Sequence, residues 1–252
     1  MHGIGRAVRK YSPGLPEGSP VAAVAQSLGL VQARIRAAEA RFGRAPGAVA
    51  LLAVSKGQPA EAMRACFDEG QRAFGESYVS EALGKMAALA GLAVEWHFVG
   101  PIQSNKTRPI AERFAWVHSV DRLKVAGRLS AQRPADLGPL NVCLEVNVSG
   151  EATKAGVPPE EAQALALAVA RLPGLRLRGL MTVPAPEADP DRQRAPYRRL
   201  RDLFDRLRAA GLPLDTLSMG MTADLEAAVA EGATVVRIGT AIFGERPQAH
   251  PR

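Results

Sequence analysis

The 252-residue chain has 47% hydrophobic and 23% charged residues, a composition that is typical of globular proteins and excludes a disordered chain. The net charge of +7 comes mainly from the first 45 residues, but only 5% of residues are aromatic and no nucleic-acid-binding motif is present, so we expect no nucleic acid partner. No run of about 18 apolar residues occurs, so we expect no membrane segment. The two cysteines, Cys66 and Cys143, are far apart and exclude a disulfide framework, so we expect a cytoplasmic protein.

Residues 1–20 are rich in glycine and proline, which predicts a flexible N-terminal extension. A helix is predicted from Val21 to Phe42, and its apolar face would contain Leu28, Val31, Ile35 and Ala38. Short apolar runs then alternate with amphipathic stretches. Eight strands are predicted at 48–54, 72–74, 94–99, 116–120, 141–148, 175–183, 216–219 and 235–238. Helices are predicted near 60–69, 77–90, 104–113, 121–132, 159–171, 190–210 and 223–231.

The alternation of strands and helices predicts a parallel sheet with right-handed crossovers. Runs such as LLAV and VVRI are apolar at successive positions, as in strands that are buried on both faces. An open doubly wound sheet is the alternative, but the count of eight and the missing Gly-x-Gly-x-x-Gly favour a closed barrel. We therefore expect an α/β fold, a single (β/α)8 TIM barrel over residues 21–246 with an N-terminal helix, and a short tail at 247–252.

Lys56 directly follows the first predicted strand, and active sites in such barrels lie at the C-terminal strand ends. An amine with a pKa near 10.4 attacks a carbonyl at neutral pH only after losing its proton, which costs roughly 4–5 kcal/mol. Burial or a nearby cation lowers the pKa of the amine and so reduces this cost. The alternative is a lysine that extends into solvent.

The loops after strands seven and eight form a second candidate feature, because TIM barrels often bind phosphate there. Ser218 and Thr222 flank Gly220 after strand seven, and Gly239 and Thr240 follow strand eight. Glycine allows close approach of the backbone to an anion, and free N–H groups at a helix start bind it. Thr222 could instead cap the next helix. Together the two loops predict an anion site.

A phosphate site opposite a strand-end lysine suits pyridoxal 5′-phosphate (PLP), whose aldehyde and phosphate lie on opposite sides of one ring. Arg237 is placed to reach the ring nitrogen, although a salt bridge at the barrel rim is the alternative. Because a guanidinium donates hydrogen bonds and keeps its protons, the ring nitrogen would stay unprotonated. This weakens the ring as an electron sink and argues against demanding carbanion chemistry. A Schiff-base aldolase of phosphorylated sugars would share the lysine and phosphate features.

The most specific stretch is WHFVGPIQSNK, which runs from Trp96 to Lys106. Together with LLAVSK, FGE, RGLM, SMGM and RIGTAIFGER in the same order, it resembles the YggS/PROSC family, the pyridoxal phosphate homeostasis proteins. The resemblance covers about residues 22–246. It implies a PLP fold-type III barrel, like the N-terminal domain of alanine racemase.

The resemblance also implies PLP held as a Schiff base on Lys56, with Arg237 at the ring nitrogen. It implies phosphate contacts at Gly239 and Thr240, and at a hydroxyl of the SMGM loop, for which Ser218 and Thr222 are the candidates. The implied function is non-catalytic, in intracellular vitamin B6 homeostasis. The expected partners are PLP and PLP-dependent apo-enzymes, and a monomer is expected because no long exposed apolar stripe is evident.

Ser77 departs from the resemblance, since asparagine is usual there, and the contact made by that amide is in doubt. Lys154 matches a family lysine, and we interpret it as an exposed loop residue. His97 and His118 have no neighbours at metal-ligand spacing, so we interpret both as hydrogen-bonded barrel residues and expect no metal.

A PLP-dependent amino-acid racemase is the main alternative function. The resemblance implies that a racemase of this type takes a second acid/base, a tyrosine, from an additional domain, and we expect no such domain here. None of the three tyrosines, Tyr11, Tyr78 and Tyr197, falls at a predicted strand end facing Lys56. We therefore expect no turnover.

Overall fold

Eight parallel strands close into a barrel in the computed structural model, which describes residues 20–151 and 154–245. The strands follow chain order around the barrel, and the first pairs with the last. The predicted TIM barrel is therefore confirmed. Most of the predicted extension (1–20) and all of the predicted tail (247–252) lie outside the described residues.

The strands are β1 (Ala50–Val54), β2 (Ala73–Glu76), β3 (Glu95–Phe98), β4 (Trp116–Val120), β5 (Leu140–Glu145), β6 (Leu175–Met181), β7 (Thr216–Ser218) and β8 (Val235–Ile238). The helices are α1 (Pro20–Arg41), α2 (Ala60–Asp68), α3 (Val79–Ala88), α4 (Thr107–Arg113), α5 (Leu123–Gln132), α6 (Ala162–Val169), α7 (Pro190–Ala209), α8 (Leu225–Ala230) and α9 (Thr240–Phe243). Short 3₁₀ turns occupy Ser104–Lys106 and Ala135–Leu137.

All eight predicted strands are present, and the differences are at their ends. Strand β5 stops at Glu145, because Val146 beyond it makes only an isolated bridge to Val157 as the chain leaves the sheet. The helix that was predicted at 159–171 begins later, at Ala162, because residues 159–161 form a turn. The short helix α9 has no counterpart among the predicted helices.

Helix α1 packs against the barrel beside α2, α8 and α9. Its predicted apolar face is buried, with exposed fractions of 5% or less at Leu28, Val31, Ile35 and Ala38. On its other side, Arg34 forms an ion pair with Glu226 of α8 and donates from Nη1 to the carbonyl of Thr222 at 2.7 Å. Helix α1 therefore holds the loop that joins β7 to α8.

The barrel interior contains more polar side chains than the valine, isoleucine and leucine layers that usually fill this fold. Strand register aligns Gly75, His97, Trp116 and Asn141 in one layer of neighbouring strands. Cys143 lies within this barrel, and burial raises the pKa of its thiol to about 12. Together with the equally buried Cys66, it confirms the interpretation of both cysteines as small apolar residues.

Candidate functional site

A cavity of about 350 Å³ opens where the first, seventh and eighth strands end. Lys56 lines it from the β1–α2 loop, and Arg237 lines it from β8. The same wall includes Thr222 after β7, and Gly239 and Thr240 after β8. Five of the six predicted site residues therefore meet in one place.

The remaining wall of the cavity is largely apolar and was not predicted: Val54, Val99, Val183, Met221 and Ala223. Three of these follow or end strands, where an apolar residue is hard to distinguish by sequence from ordinary core. They make most of the remaining wall apolar, as is usual for pockets that bind small molecules.

Ser218, the sixth predicted residue, is fully buried and lies behind Arg237 instead of on the cavity wall. Its Oγ accepts a hydrogen bond from Arg237 Nη1 at 2.9 Å and lies 2.8 Å from His118 Nδ1. Thr222 is therefore the residue of this predicted pair that lines the cavity.

Arg237 is 6% exposed and is held by backbone oxygens. Nη1 donates to the carbonyl of Ser218 at 2.6 Å, and Nη2 donates to the carbonyl of Thr182 at 2.8 Å. Within the described residues it has no carboxylate partner at ion-pair distance, so the interpretation as a rim salt bridge is not supported. Burial lowers the pKa of this guanidinium, and nearby groups including Glu145 oppose that shift. With Ser218 Oγ, three of its five N–H donors are used, and the other two have no hydrogen-bond partner among the described residues.

The β7–α8 loop is fixed by its own contacts. Gly220 has φ +96°, and a Cβ added there would lie 2.5 Å from the side chain of Ala228, so this turn requires glycine. The carboxylate of Asp224 accepts from the Met221 N–H at 2.6 Å, and α8 begins only at Leu225. Thr222 is therefore not the cap of this helix, and its side chain is available to the cavity.

The β8–α9 loop lies directly against the end of β1. A Cβ added at Gly239 would be 3.0 Å from the carbonyl oxygen of Val54, which leaves little room for any side chain. Helix α9 starts at the next residue, Thr240. The close approach brings this loop and the chain segment of Lys56 to the same side of the cavity.

The backbone on both sides of Lys56 is tied to β2 and α3. Ser55 Oγ donates to Glu76 Oε1 at 2.6 Å, and Lys85 Nζ donates to the Ser55 carbonyl at 2.6 Å. On the other side, the Gly57 N–H donates to Glu81 Oε1 at 2.6 Å. Lys85 also forms ion pairs with Glu76 and Glu81, at 2.7 and 2.5 Å. We refer to Lys85, Glu76 and Glu81 as the anchor cluster.

The anchor cluster was not predicted, although two of its residues are conspicuous in the sequence. Glu76 belongs to the FGE motif, and Lys85 is one of six lysines in the chain. Burial raises the pKa of Glu76, while its hydrogen bonds with Lys85 and Ser55 oppose the rise. The cluster holds the backbone of Ser55 and Gly57, the residues on either side of Lys56.

Ser77 and Lys154 are both outside the cavity wall. Ser77 is 8% exposed, and its buried Oγ has no hydrogen-bond partner in the part of the chain that the structure describes. A Cβ added at Gly100 would lie 2.4 Å from the Ser77 carbonyl oxygen, so the two segments are in tight contact. Lys154 is half-buried and forms an ion pair with Glu151 at 3.2 Å, which corrects its interpretation as an exposed loop residue.

A hydrogen-bonded chain of side chains runs through the barrel from Arg237 to the opposite end. It passes from Arg237 to Ser218, His118, His97 and Glu95, and we refer to these five residues as the buried chain. His118 Nε2 lies 2.9 Å from His97 Nδ1, and His97 Nε2 lies 2.7 Å from Glu95 Oε1. The interpretation of both histidines as hydrogen-bonded barrel residues is confirmed.

Two further expectations concern metals and membranes. In residues 20–151 and 154–245, no three His, Cys, Asp or Glu side chains are arranged to hold a metal ion. None of the helices in these ranges is long and apolar enough to cross a membrane.

Comparison with known proteins places this geometry in a family. The profile "Alanine racemase, N-terminal domain" matches residues 27–247. The "Pyridoxal phosphate homeostasis protein" of Pseudomonas aeruginosa is 61% identical over 228 residues, which cover 90% of this chain and 98% of that relative. The chain belongs to the pyridoxal phosphate homeostasis protein family. The member from Escherichia coli strain K12 is 51% identical over 226 residues, which cover 88% of this chain and 97% of the relative.

A solved structure of a similar protein contains the cofactor. PipY of Synechococcus elongatus PCC7942, with PLP bound, matches this family member with a TM-score of 0.77 and 34% identity. The match covers 88% of this chain and all of PipY. The resemblance that the sequence motifs indicated is confirmed.

Proposed function

We propose that this protein binds PLP in the cavity, holds it as a Schiff base on Lys56, and serves intracellular vitamin B6 homeostasis without turnover of a substrate. One observation carries the proposal: an amine, two loops with glycine and threonine, and a buried guanidinium converge on one cavity of about 350 Å³. When bound, PLP supplies an aldehyde for the amine, a phosphate for the loops and a ring nitrogen for the guanidinium.

The residues of the cavity fit these three groups. Thr222 and Thr240 place hydroxyl donors on two loops that Gly220 and Gly239 shape, which suits a phosphate. Arg237 lines the cavity and retains N–H donors, so it can donate a hydrogen bond to the ring nitrogen and leave that nitrogen unprotonated. The resulting ring is a weak electron sink, which supports storage of the cofactor over catalysis.

The lining of the cavity also disfavours the racemase alternative. Among the described residues of the wall, Lys56 and Arg237 are the ionisable side chains, and an arginine does not exchange its proton at neutral pH. Tyr197 is buried within α7, and the exposed Tyr78 precedes α3, so neither lines the cavity. Tyr11 lies outside the described residues. A second acid/base for a two-base racemisation is thus missing from this wall.

We extend the proposal to three broader points. Residues 21–246 form the PLP-binding unit, with 1–20 and 247–252 outside it. PLP-dependent apo-enzymes are the recipients of the stored cofactor, and the protein acts as a cytoplasmic monomer. The similarity to proteins named for PLP homeostasis supports the role in cofactor supply.

The test uses the purified protein incubated with PLP, reduced with borohydride and mapped by peptide mass. We expect a visible absorption band and a pyridoxyl adduct on Lys56. Lys56→Ala should abolish both, while Lys106→Ala, which removes an exposed lysine after β3, should retain both. An adduct that occurs only on another lysine would overturn the site.

A second assay separates storage from catalysis. The PLP-loaded protein is incubated with L-alanine and other L-amino acids, and the formation of D-enantiomers and decarboxylation products is followed. We expect less than one product per protein molecule. Multiple turnovers that disappear in Lys56→Ala would instead establish an enzyme.

A further inference from the structure

The buried chain connects the cavity to the far end of the barrel through four consecutive contacts. Arg237 lies at the cavity, whereas Glu95 is the first residue of β3 and its side chain is half exposed at the opposite end. Ser218, His118 and His97 between them are all 5% exposed or less. The ring of His97 stacks on Trp116, with a centroid separation of 5.5 Å and an interplanar angle of 5°, which fixes its orientation.

The hydrogen-bond chemistry of these residues permits one order of protons when Glu95 is ionised. A carboxylate only accepts, so His97 Nε2 must carry the hydrogen at the Glu95 contact. In a neutral imidazole the other nitrogen then accepts, so His118 Nε2 must donate to His97 Nδ1. His118 Nδ1 is therefore an acceptor and receives the hydroxyl hydrogen of Ser218. Ser218 Oγ is left with its lone pairs facing Arg237 Nη1.

Both premises of this order agree with the electrostatics of the site. Burial lowers the pKa of His118 well below its ordinary value, with further lowering from His97 and Arg237. Burial also lowers the pKa of His97, against the opposing effect of Glu95. The hydrogen bond from His97 lowers the pKa of the Glu95 carboxyl. At neutral pH the histidines are accordingly neutral and the carboxylate is charged.

We propose that Glu95 is a positioning residue for the cofactor site: it sets the proton order of the buried chain, so that the Ser218 hydroxyl hydrogen points to His118 and both Oγ lone pairs are left for the Arg237 guanidinium at the cavity. This inference rests on the proposed function, because it assigns Arg237 to the ring nitrogen of PLP. In the reverse order, Ser218 Oγ would accept from both His118 and Arg237. The Ser218 hydroxyl hydrogen would then no longer have His118 Nδ1 as its acceptor. The hydrogen bonding around Arg237 Nη1 would therefore change.

The proton order is measurable without any cofactor. Of the four histidines, His2 and His250 are removed by substitution with glutamine, which leaves the two of the buried chain. Long-range ¹H–¹⁵N correlation spectra of this protein should show both remaining rings as neutral Nε2–H tautomers. A ring in the Nδ1–H tautomer, or a charged ring at neutral pH, would overturn the proposal.

The effect of Glu95 is tested with a residue that only donates. Glu95→Lys should convert both rings to the Nδ1–H tautomer, shift the visible absorption of the PLP-loaded protein, and weaken PLP binding about tenfold. Glu112→Gln is the matched control. It removes a carboxylate that pairs with Arg108 on the surface of α4, away from the buried chain, and should change neither the tautomers nor the absorption.

Two results would contradict the role of Glu95. One is a Glu95→Lys protein whose tautomers match those of the parent, and the other is inverted tautomers with unchanged absorption and affinity. A parent protein that forms no adduct on Lys56 would overturn the proposed function alone, because the tautomer measurement does not depend on PLP. Thermal unfolding of each variant verifies that the barrel is folded.

Discussion

Substitution of Lys85 by methionine is expected to lower the free energy of unfolding by about 3–5 kcal/mol, which is the usual cost of removing one partner from a buried ion pair. Lys85 is 7% exposed, and its partner Glu76 is fully buried. Without the ammonium, the Glu76 carboxyl either stays charged in an apolar site or takes up a proton. Urea unfolding followed by circular dichroism measures the change.

The same substitution tests the anchor cluster. Because loss of Lys85 raises the pKa of Glu76 further, the destabilisation should grow as the pH rises above the ordinary pKa range of a glutamate. Glu76→Gln in the Lys85→Met protein should recover part of the loss, since it removes the uncompensated charge. Lys124→Met, at an exposed position of α5, is the control and should be nearly neutral. A loss below about 1 kcal/mol for Lys85→Met would show that the cluster does not stabilise the fold.

Substitution of Glu145 by glutamine is expected to stabilise the protein at alkaline pH and to do little at acid pH. Glu145 ends β5 with an exposed fraction of 9%, and its register through Met181 aligns it with Ser218 on the inner face of the barrel. Burial raises the pKa of this carboxyl from 4.5 to about 7, with Arg237 opposing the rise.

The direction of this pH dependence is set by which state, folded or unfolded, binds the Glu145 proton more tightly. Between the two pKa values the folded state holds the proton and the unfolded state does not, so ionisation of Glu145 reduces stability as the pH rises. The gain from Glu145→Gln should therefore increase by about 2.5 kcal/mol between about pH 5 and about pH 8. Urea unfolding at both pH values measures it. Glu160→Gln, in an exposed turn, is the control and should change the free energy of unfolding equally at both pH values. An effect of Glu145→Gln on stability that does not depend on pH would refute the argument.

The barrel can be predicted from the sequence because one hydrophobicity pattern recurs along the chain. Each of eight apolar runs is followed by an amphipathic stretch, and closure follows from the count. The cavity residues are also predictable, because the C-terminal ends of β1, β7 and β8 must meet once β1 pairs with β8. This strand order alone is enough to predict that Lys56 and the two glycine loops meet.

The remaining features depend on side-chain direction, which periodicity does not provide near strand ends. Ser218 and Thr222 are both hydroxyl residues of one motif, yet Ser218 points into the barrel and Thr222 lines the cavity. Glu76 faces Lys85 between β2 and α3, a contact that requires the angle at which the helix packs on the sheet. The buried chain joins residues from four strands, and no local pattern relates them.

The pairing of the first strand with the last has a consequence for biosynthesis. Lys56 is synthesised long before Arg237 and the Gly239 loop, and these groups line one cavity only after β8 pairs with β1. Under the function that we propose, a nascent chain that lacks β8 would therefore not retain PLP, because the guanidinium and one of the two glycine loops would be missing from the cavity.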